Sequence, residues 1–181
     1  MTTPARRAGR LTALFDQRPE LRPILAPLVA SLAVLEEQIA GATGALRRRA
    51  AADPVCARLM SVPGVGPVAA LTFKSSIEDP ERFARGADVG AYAGLVPRRF
   101  QSGERDTRGR ISKAGDRMLR HALYEAANSL LARVKGSCAL RTWGLALAET
   151  KGAKRARVAV ARKLAALLHK LWRSETSFQW A

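Results

Sequence analysis

The chain has 181 residues, 48% of them apolar, and 31 Lys and Arg against 15 Asp and Glu leave a net charge of +16. That length suits one domain with an appended helical segment, and that apolar share excludes wholesale disorder. So large an excess of one sign repels itself in a compact state, and an anionic partner relieves it: nucleic acid first, an anionic membrane surface second.

Residues 1–20 read as frayed or loosely helical. Their start is basic, but no signal-type apolar core follows before Asp16 and Arg18, and no run approaches a membrane-spanning length. The expectation is a soluble, cytoplasmic protein with no membrane partner. From Pro27 onward Leu28, Leu32, Leu35, Ile39, Ala42 and Leu46 step by 4-3-4-3-4, an a/d seam that runs into Arg47, Arg48 and Arg49. This stretch is either a short coiled coil joining protomers or an amphipathic helix packed on its own domain. Residues 1–52 are therefore set apart as a tail and coiled-coil helix, and residues 53–181 as a helical domain.

Asp53-Pro54 opens the next helix, with Asp53 as N-cap and Pro54 in the first turn. V-P-G-V-G-P (62–67) then leads into V-A-A-L-T-F, the pattern of a helix-hairpin-helix. The amides from Gly64 to Gly66 and the following helix start can hold a DNA phosphate; a tight turn between helices would also require glycine there. Asp79-Pro80 opens a short helix around Phe83, and a further one, Asp88 to Ala93, stops at Gly94 as a C′ glycine.

From Gly94 to Arg120 eight Lys and Arg stand against three Asp and Glu in what reads as a basic loop. A high-GC genome, which favours Arg and Ala codons, explains part of the excess but not this clustering. Arg98, Arg99, Arg105, Arg108, Arg110 and Lys113 would attract a polyanion, and Ser102 sits among them beside Gly103. A serine that attacks a phosphodiester must shed its proton and needs guanidinium groups to offset charge on the non-bridging oxygens. Ser112 is explained as the N-cap of a helix running to about Val134. Its buried stripe is Leu119, Leu123, Ala126, Ala127, Leu130, Leu131 and Val134, and Arg117, His121, Tyr124 and Asn128 share another face.

Trp143 and Leu145 belong to a helix that ends near Lys151-Gly152. The last helix, about Ala153 to Trp172, has Val158, Ala161, Leu164, Ala165, Leu168 and Leu171 inside, with Arg155, Arg162 and His169 at seven-residue steps on another side. Between Glu149 and Glu175 no acid interrupts eight Lys and Arg, which favours a phosphate-contacting face over a solvated one. Phe178 and Trp180 are expected to tuck against the core. The fold class is all-α. Cys56 and Cys138 read as reduced thiols, His121 and His169 as surface or phosphate-facing groups, and no set of carboxylates or imidazoles has metal spacing, so no cofactor is expected in this chain.

Several blocks in order then become recognisable: P-G-V-G-P (63–67), D-P-E-R-F (79–83), A-Y-A-G-L-V-P-R (91–98), Q-S-G (101–103), G-R-I-S-K-A-G-D (109–116), L-R-H-A-L-Y-E-A-A (119–127) and A-V-A-R-K-L-A-A-L-L-H-K-L-W (159–172). Together they closely resemble the C-terminal domain of the insertion-sequence transposases that act as bridge-RNA-guided serine recombinases. Residues 20–52 resemble the coiled-coil segment before that domain. The resemblance implies a mobile-element protein that cuts and rejoins DNA through a phosphoserine link, with Ser102 as nucleophile and Gly64 and Gly66 in the family's hairpin. It implies DNA, a guide RNA and a second copy as partners. Family members carry a RuvC-like domain whose acidic residues bind magnesium; this chain begins at Met1 just before the coiled coil. The expectation is a fragment that binds nucleic acid and does not recombine DNA alone. A non-catalytic nucleic-acid-binding helical module is the competing reading, and a basic assembly protein dominated by its coiled coil is the third.

Overall fold

The computed structural model describes the backbone of residues 4–102 and 105–180, and the side chains of residues 8–98 and 109–180. The chain divides into two compact units, Met1–Ala45 and Leu46–Ala181.

The first unit holds α1 (Pro4–Gln17), one turn of 3-10 helix (Pro19–Leu21) and most of α2 (Arg22–Ala52). Of the two readings of residues 1–20, frayed or loosely helical, the helical one holds: α1 is an α-helix. Across the turn the Arg22 guanidinium lies 5.6 Å from the Phe15 ring centre and 4.0 Å from Asp16. Such exposed contacts are individually weak. On α2, Leu28, Leu35 and Ile39 are each more than half exposed. The expectation about membrane spans is corrected. The helical stretch Pro19–Ala52 is long and apolar enough, by length and composition, to cross a bilayer.

In the second unit α8 (Ala153–Arg173) is the axis, and α3 (Pro54–Met60), α5 (Gly86–Tyr92), α6 (Arg117–Ala132) and α7 (Ala139–Lys151) pack around it. Its Ala156, Val160, Ala161, Leu164, Ala165, Leu168 and Leu171 are buried, the 3.6-residue stripe that the sequence carries. Small residues set the approach of α5: a Cβ on Gly86 would stand 2.9 Å from Ala166 O, and one on Gly90 2.9 Å from Arg162 Cγ. α4 (Pro67–Ile77) packs on α3 and α6, burying Ala70, Phe73 and Ile77. Cys56 and Cys138 are free thiols buried in this core. Burial pushes the Cys56 thiol up from its ordinary value.

Helix starts follow their caps. Asp53 accepts from the Val55 and Cys56 amides at 3.0 and 3.1 Å, and Asp79 from Glu81 at 2.9 Å. The helix expected from Ser112 begins instead at Arg117 with Asp116 as N-cap, accepting from Met118 and Leu119 at 2.7 and 3.1 Å. The left-handed backbone at Lys113 (φ 56) and Gly115 (φ 87) keeps a helix from forming any earlier.

The basic stretch is not a loop. β1 (Pro97–Ser102) and β2 (Arg105–Ile111) pair antiparallel, Arg99 with Arg108, Phe100 with Thr107 and Ser102 with Arg105. The all-α expectation is corrected to a mostly helical fold carrying this two-stranded hairpin. Phe100, Thr107 and Ile111 suit strands, but the arginines around them hide the signal. At the C-terminus Phe178 packs on the core and its amide donates to Ser61 Oγ at 2.8 Å, whereas Trp180 is half exposed, edge-on to Phe178. The expected tucking holds for Phe178 and is corrected for Trp180.

Candidate nucleic-acid interface

Gly64 and Gly66 lie in the turn between α3 and α4, and their reasons differ. Gly64 has φ 86, and a Cβ there would come within 2.7 Å of Ala126 O and Leu130 N on α6. It is demanded by backbone and packing. Gly66 has open space around its missing Cβ. It is the N-cap of α4 and provides no side-chain cap; Pro67 has no N–H, so the Val68 and Ala69 amides are the ones left without an intrahelical acceptor.

Those amides open onto a cleft of about 640 Å³ between α4 and α6. Gly64, Gly66, Val68 and Ala69 form one wall, and Arg117, Met118, His121, Glu125 and Arg133 the other. Three of these groups carry or can take positive charge and one is acidic. Val68 and Met118 are exposed on the rim. Arg117 and His121 stand one helical turn apart, so both reach the same wall.

The structure therefore brings Gly64, Gly66 and Arg117 together and leaves other candidates elsewhere. Arg98, Arg110 and Lys113 are exposed at the base of the hairpin, where Arg98 Nη2 donates to Ser112 O at 3.3 Å. Arg155 and Arg162 are exposed on α8 and do not line the cleft. The backbones of Ser102, Arg99, Arg105 and Arg108 belong to the hairpin; their side chains lie outside the described residues.

The last helix corrects two expectations. His169 is neither at the surface nor facing phosphate. It is 2% exposed, with Nε2 2.8 Å from Pro80 O and the ring edge-on to Phe83. Nor is the cationic face of α8 uniformly free. Arg173 makes a bidentate pair with Glu81 at 2.8 Å for each bond, and Lys163 lies 3.7 Å over the Trp143 ring.

Three aspartates are also committed. Lys74 bonds Asp53 directly, and that bond, with the Val55 and Cys56 amides, holds Asp53 below its ordinary value. The Ser76 hydroxyl donates to Asp116 at 2.7 Å and, with the Leu119 and Met118 amides, lowers it likewise. Asp88 is held down by Arg85. Among the described residues no three of His, Cys, Asp and Glu converge. The magnesium that the resemblance attaches to a RuvC-like domain finds no fitting donor set in the described part of this chain. Spacing along the sequence gave no sign of Arg133 in the cleft, of Ser76 on Asp116, or of Arg120, whose Nη1 donates to Ala93 O at 3.1 Å. Each depends on contacts between separate elements.

Residues 56–143 match a family described as transposase IS116/IS110/IS902. The chain is 35% identical over 162 residues to the transposase for insertion sequence element IS1111A of Coxiella burnetii, covering 89% of this chain and 44% of that protein. It is 32% identical over 127 residues to the transposase for insertion sequence element IS1328 of Yersinia enterocolitica, covering 68% of this chain and 38% of the relative. The chain spans less than half the length of these relatives.

Proposed function

We propose, from the match of residues 56–143 to the transposase IS116/IS110/IS902 family, that the chain grips DNA beside Ser102 so that this serine cuts and rejoins a strand. One observation supports the reading: the backbone register pairs Ser102 with Arg105 and Arg99 with Arg108, so the one serine of the two strands stands in an arginine-rich strand pair.

In the chemical step the Ser102 oxygen bonds to phosphorus and one P–O bond of the strand breaks. The serine proton passes to a base, and the departing sugar oxygen takes up a proton. Attack by a hydroxyl of another strand reverses the exchange and regenerates the serine. One phosphate ester replaces another, so no energy source is consumed. Guanidinium groups of the hairpin offset the charge that grows on the non-bridging oxygens.

The cleft between α4 and α6 holds a neighbouring phosphate through the Val68 and Ala69 amides of α4, with Arg117, His121 and Arg133 around it. In this role α3, the glycine turn and α4 act as a helix-hairpin-helix. The open seam on α2 pairs with a second copy, and a guide RNA shares the cationic surface. Pairing of that seam also removes its apolar face from water without a bilayer, which is consistent with a cytoplasmic protein.

The test is Ser102→Ala in the full chain within a complete transposition reaction. Strand transfer and the covalent DNA–protein adduct should vanish, while DNA affinity stays within about twofold because binding is carried by other groups. A persistent adduct overturns the reading. Among the described residues the cleft is lined from the α3–α4 turn, α4, α6 and Arg133, which favours a non-catalytic nucleic-acid-binding module as the second reading. Under it Ser102→Ala changes neither binding nor any downstream event.

A further inference from the structure

We propose that Arg120 is a positioning residue that sets the angle at which the β1–β2 hairpin leaves the helical unit; the proposal rests on the reading of Ser102 as nucleophile. The hairpin leaves from the end of α5 and returns to the start of α6. Gly94 (φ 68) closes α5, its amide donating to Ala91 O at 2.8 Å while the Leu95 amide donates to Gly90 O at 2.9 Å. These two bonds form a Schellman cap. On the return, the Ser112 amide donates to Val96 O at 2.8 Å and the Lys113 amide to Gly94 O at 3.1 Å. The strand pairing thus continues beyond the sheet into a closed base. The two chain segments touch there backbone to backbone: a Cβ on Gly94 would overlap Ala114 O, and one on Gly115 would overlap Tyr92 O.

Arg120, half-buried in the first turn of α6, crosses this base to donate to Ala93 O. That carbonyl lies at the C-terminal end of α5, where backbone oxygens lack intrahelical donors and the helix dipole is negative. Asp116, one turn before, holds Ser76 of α4 at 2.7 Å. The base is therefore tied to α4, α5 and α6 together.

Beyond the base the two strands pack chiefly on each other. Among the described contacts it is the base that sets where the far end of β1 lies, and Ser102 is its last residue. A six-residue strand is about 20 Å long. Over that lever a tilt of about 10° moves the far end by about 3 Å, and misplacement by about 1 Å already slows a reaction about 100-fold. Lys113, which the sequence offers as a nucleic-acid contact, belongs to the same base through its amide and its φ of 56.

The test compares Arg120→Met, which keeps length and loses the donors, with Arg120→Lys, which keeps one. In the full chain, Arg120→Met should speed hydrogen exchange at the Ser112 and Lys113 amides by about tenfold or more, with α4 and α8 unchanged. In the complete transposition reaction, adduct formation at saturating protein should fall about 100-fold with DNA affinity within about twofold, and Arg120→Lys should recover part of the loss. Arg120→Gln replaces Arg120→Met should the latter unfold. Wild-type exchange at the base overturns the proposal, as does a loosened base with an unchanged adduct rate. A parallel loss of affinity also overturns it, since Arg120 would then be touching DNA. An adduct that survives Ser102→Ala sinks the nucleophile instead, and the exchange measurement still decides the clamp.

Discussion

Gly64 and Gly66 stand one residue apart and should respond differently to the same change. Gly64→Ala must place a methyl 2.7 Å from two α6 backbone atoms at φ 86. A loss of about 2 kcal/mol or more is expected by chemical denaturation, the sum of left-handed strain and overlap. Gly66→Ala meets open space at φ −96 and should stay within about 0.5 kcal/mol of wild type. If the α4 amides hold phosphate, Gly66→Ala should nevertheless weaken DNA binding, and a titration checks it. The paired aspartates make an acid prediction. Asp53 and Asp116 have folded-state values below the ordinary 3.8. The unfolded chain therefore takes up protons first as pH falls. Their stabilisation is complete above about pH 4 and drains away as pH drops through the folded-state values. Asp53→Asn and Asp116→Asn should each flatten the stability–pH curve below about pH 4 in urea melts, with little slope removed near neutrality.

The α2 seam carries a prediction at the level of the element. Its leucines are exposed on one chain, and burying each against a partner contributes about 1.5–3 kcal/mol. Sedimentation should find an oligomer that the double change Leu35→Lys and Ile39→Lys returns to monomer, with the melting of the unit Leu46–Ala181 unaltered. Elements with local causes were legible from sequence. Asp53-Pro54 and Asp79-Pro80 announce their caps, and the apolar stripes of α6 and α8 fall at helical spacing. What escaped has distant causes. The hairpin reads as loop because arginine fills five of its thirteen strand positions, and the start of α6 slipped from Ser112 to Asp116 because the Lys113 and Gly115 conformations serve the hairpin base. His169 is buried because Pro80, 89 residues away, accepts its ring nitrogen. Of the candidate interface, the glycine turn and Arg117 were readable, whereas Arg133 required knowing which helices face each other.

At the scale of the molecule, a net charge of +16 makes binding to any polyanion strongly salt-dependent. Each phosphate neutralised on a duplex contributes about 0.9 to the slope of log K against log salt. Arg117→Ala should lower that slope by about one, while Arg173→Gln should not, because Arg173 is held by Glu81. A filter-binding series across salt concentrations separates the two. The buried pair of sulfhydryls offers something further. Cys56 sits in α3 and Cys138 just before α7, both sealed inside the second unit. A maleimide reagent can reach them only when that unit opens, so the labelling rate becomes a clock for its opening. Adding a DNA strand that grips the folded form should slow the clock in proportion to how tightly it is held.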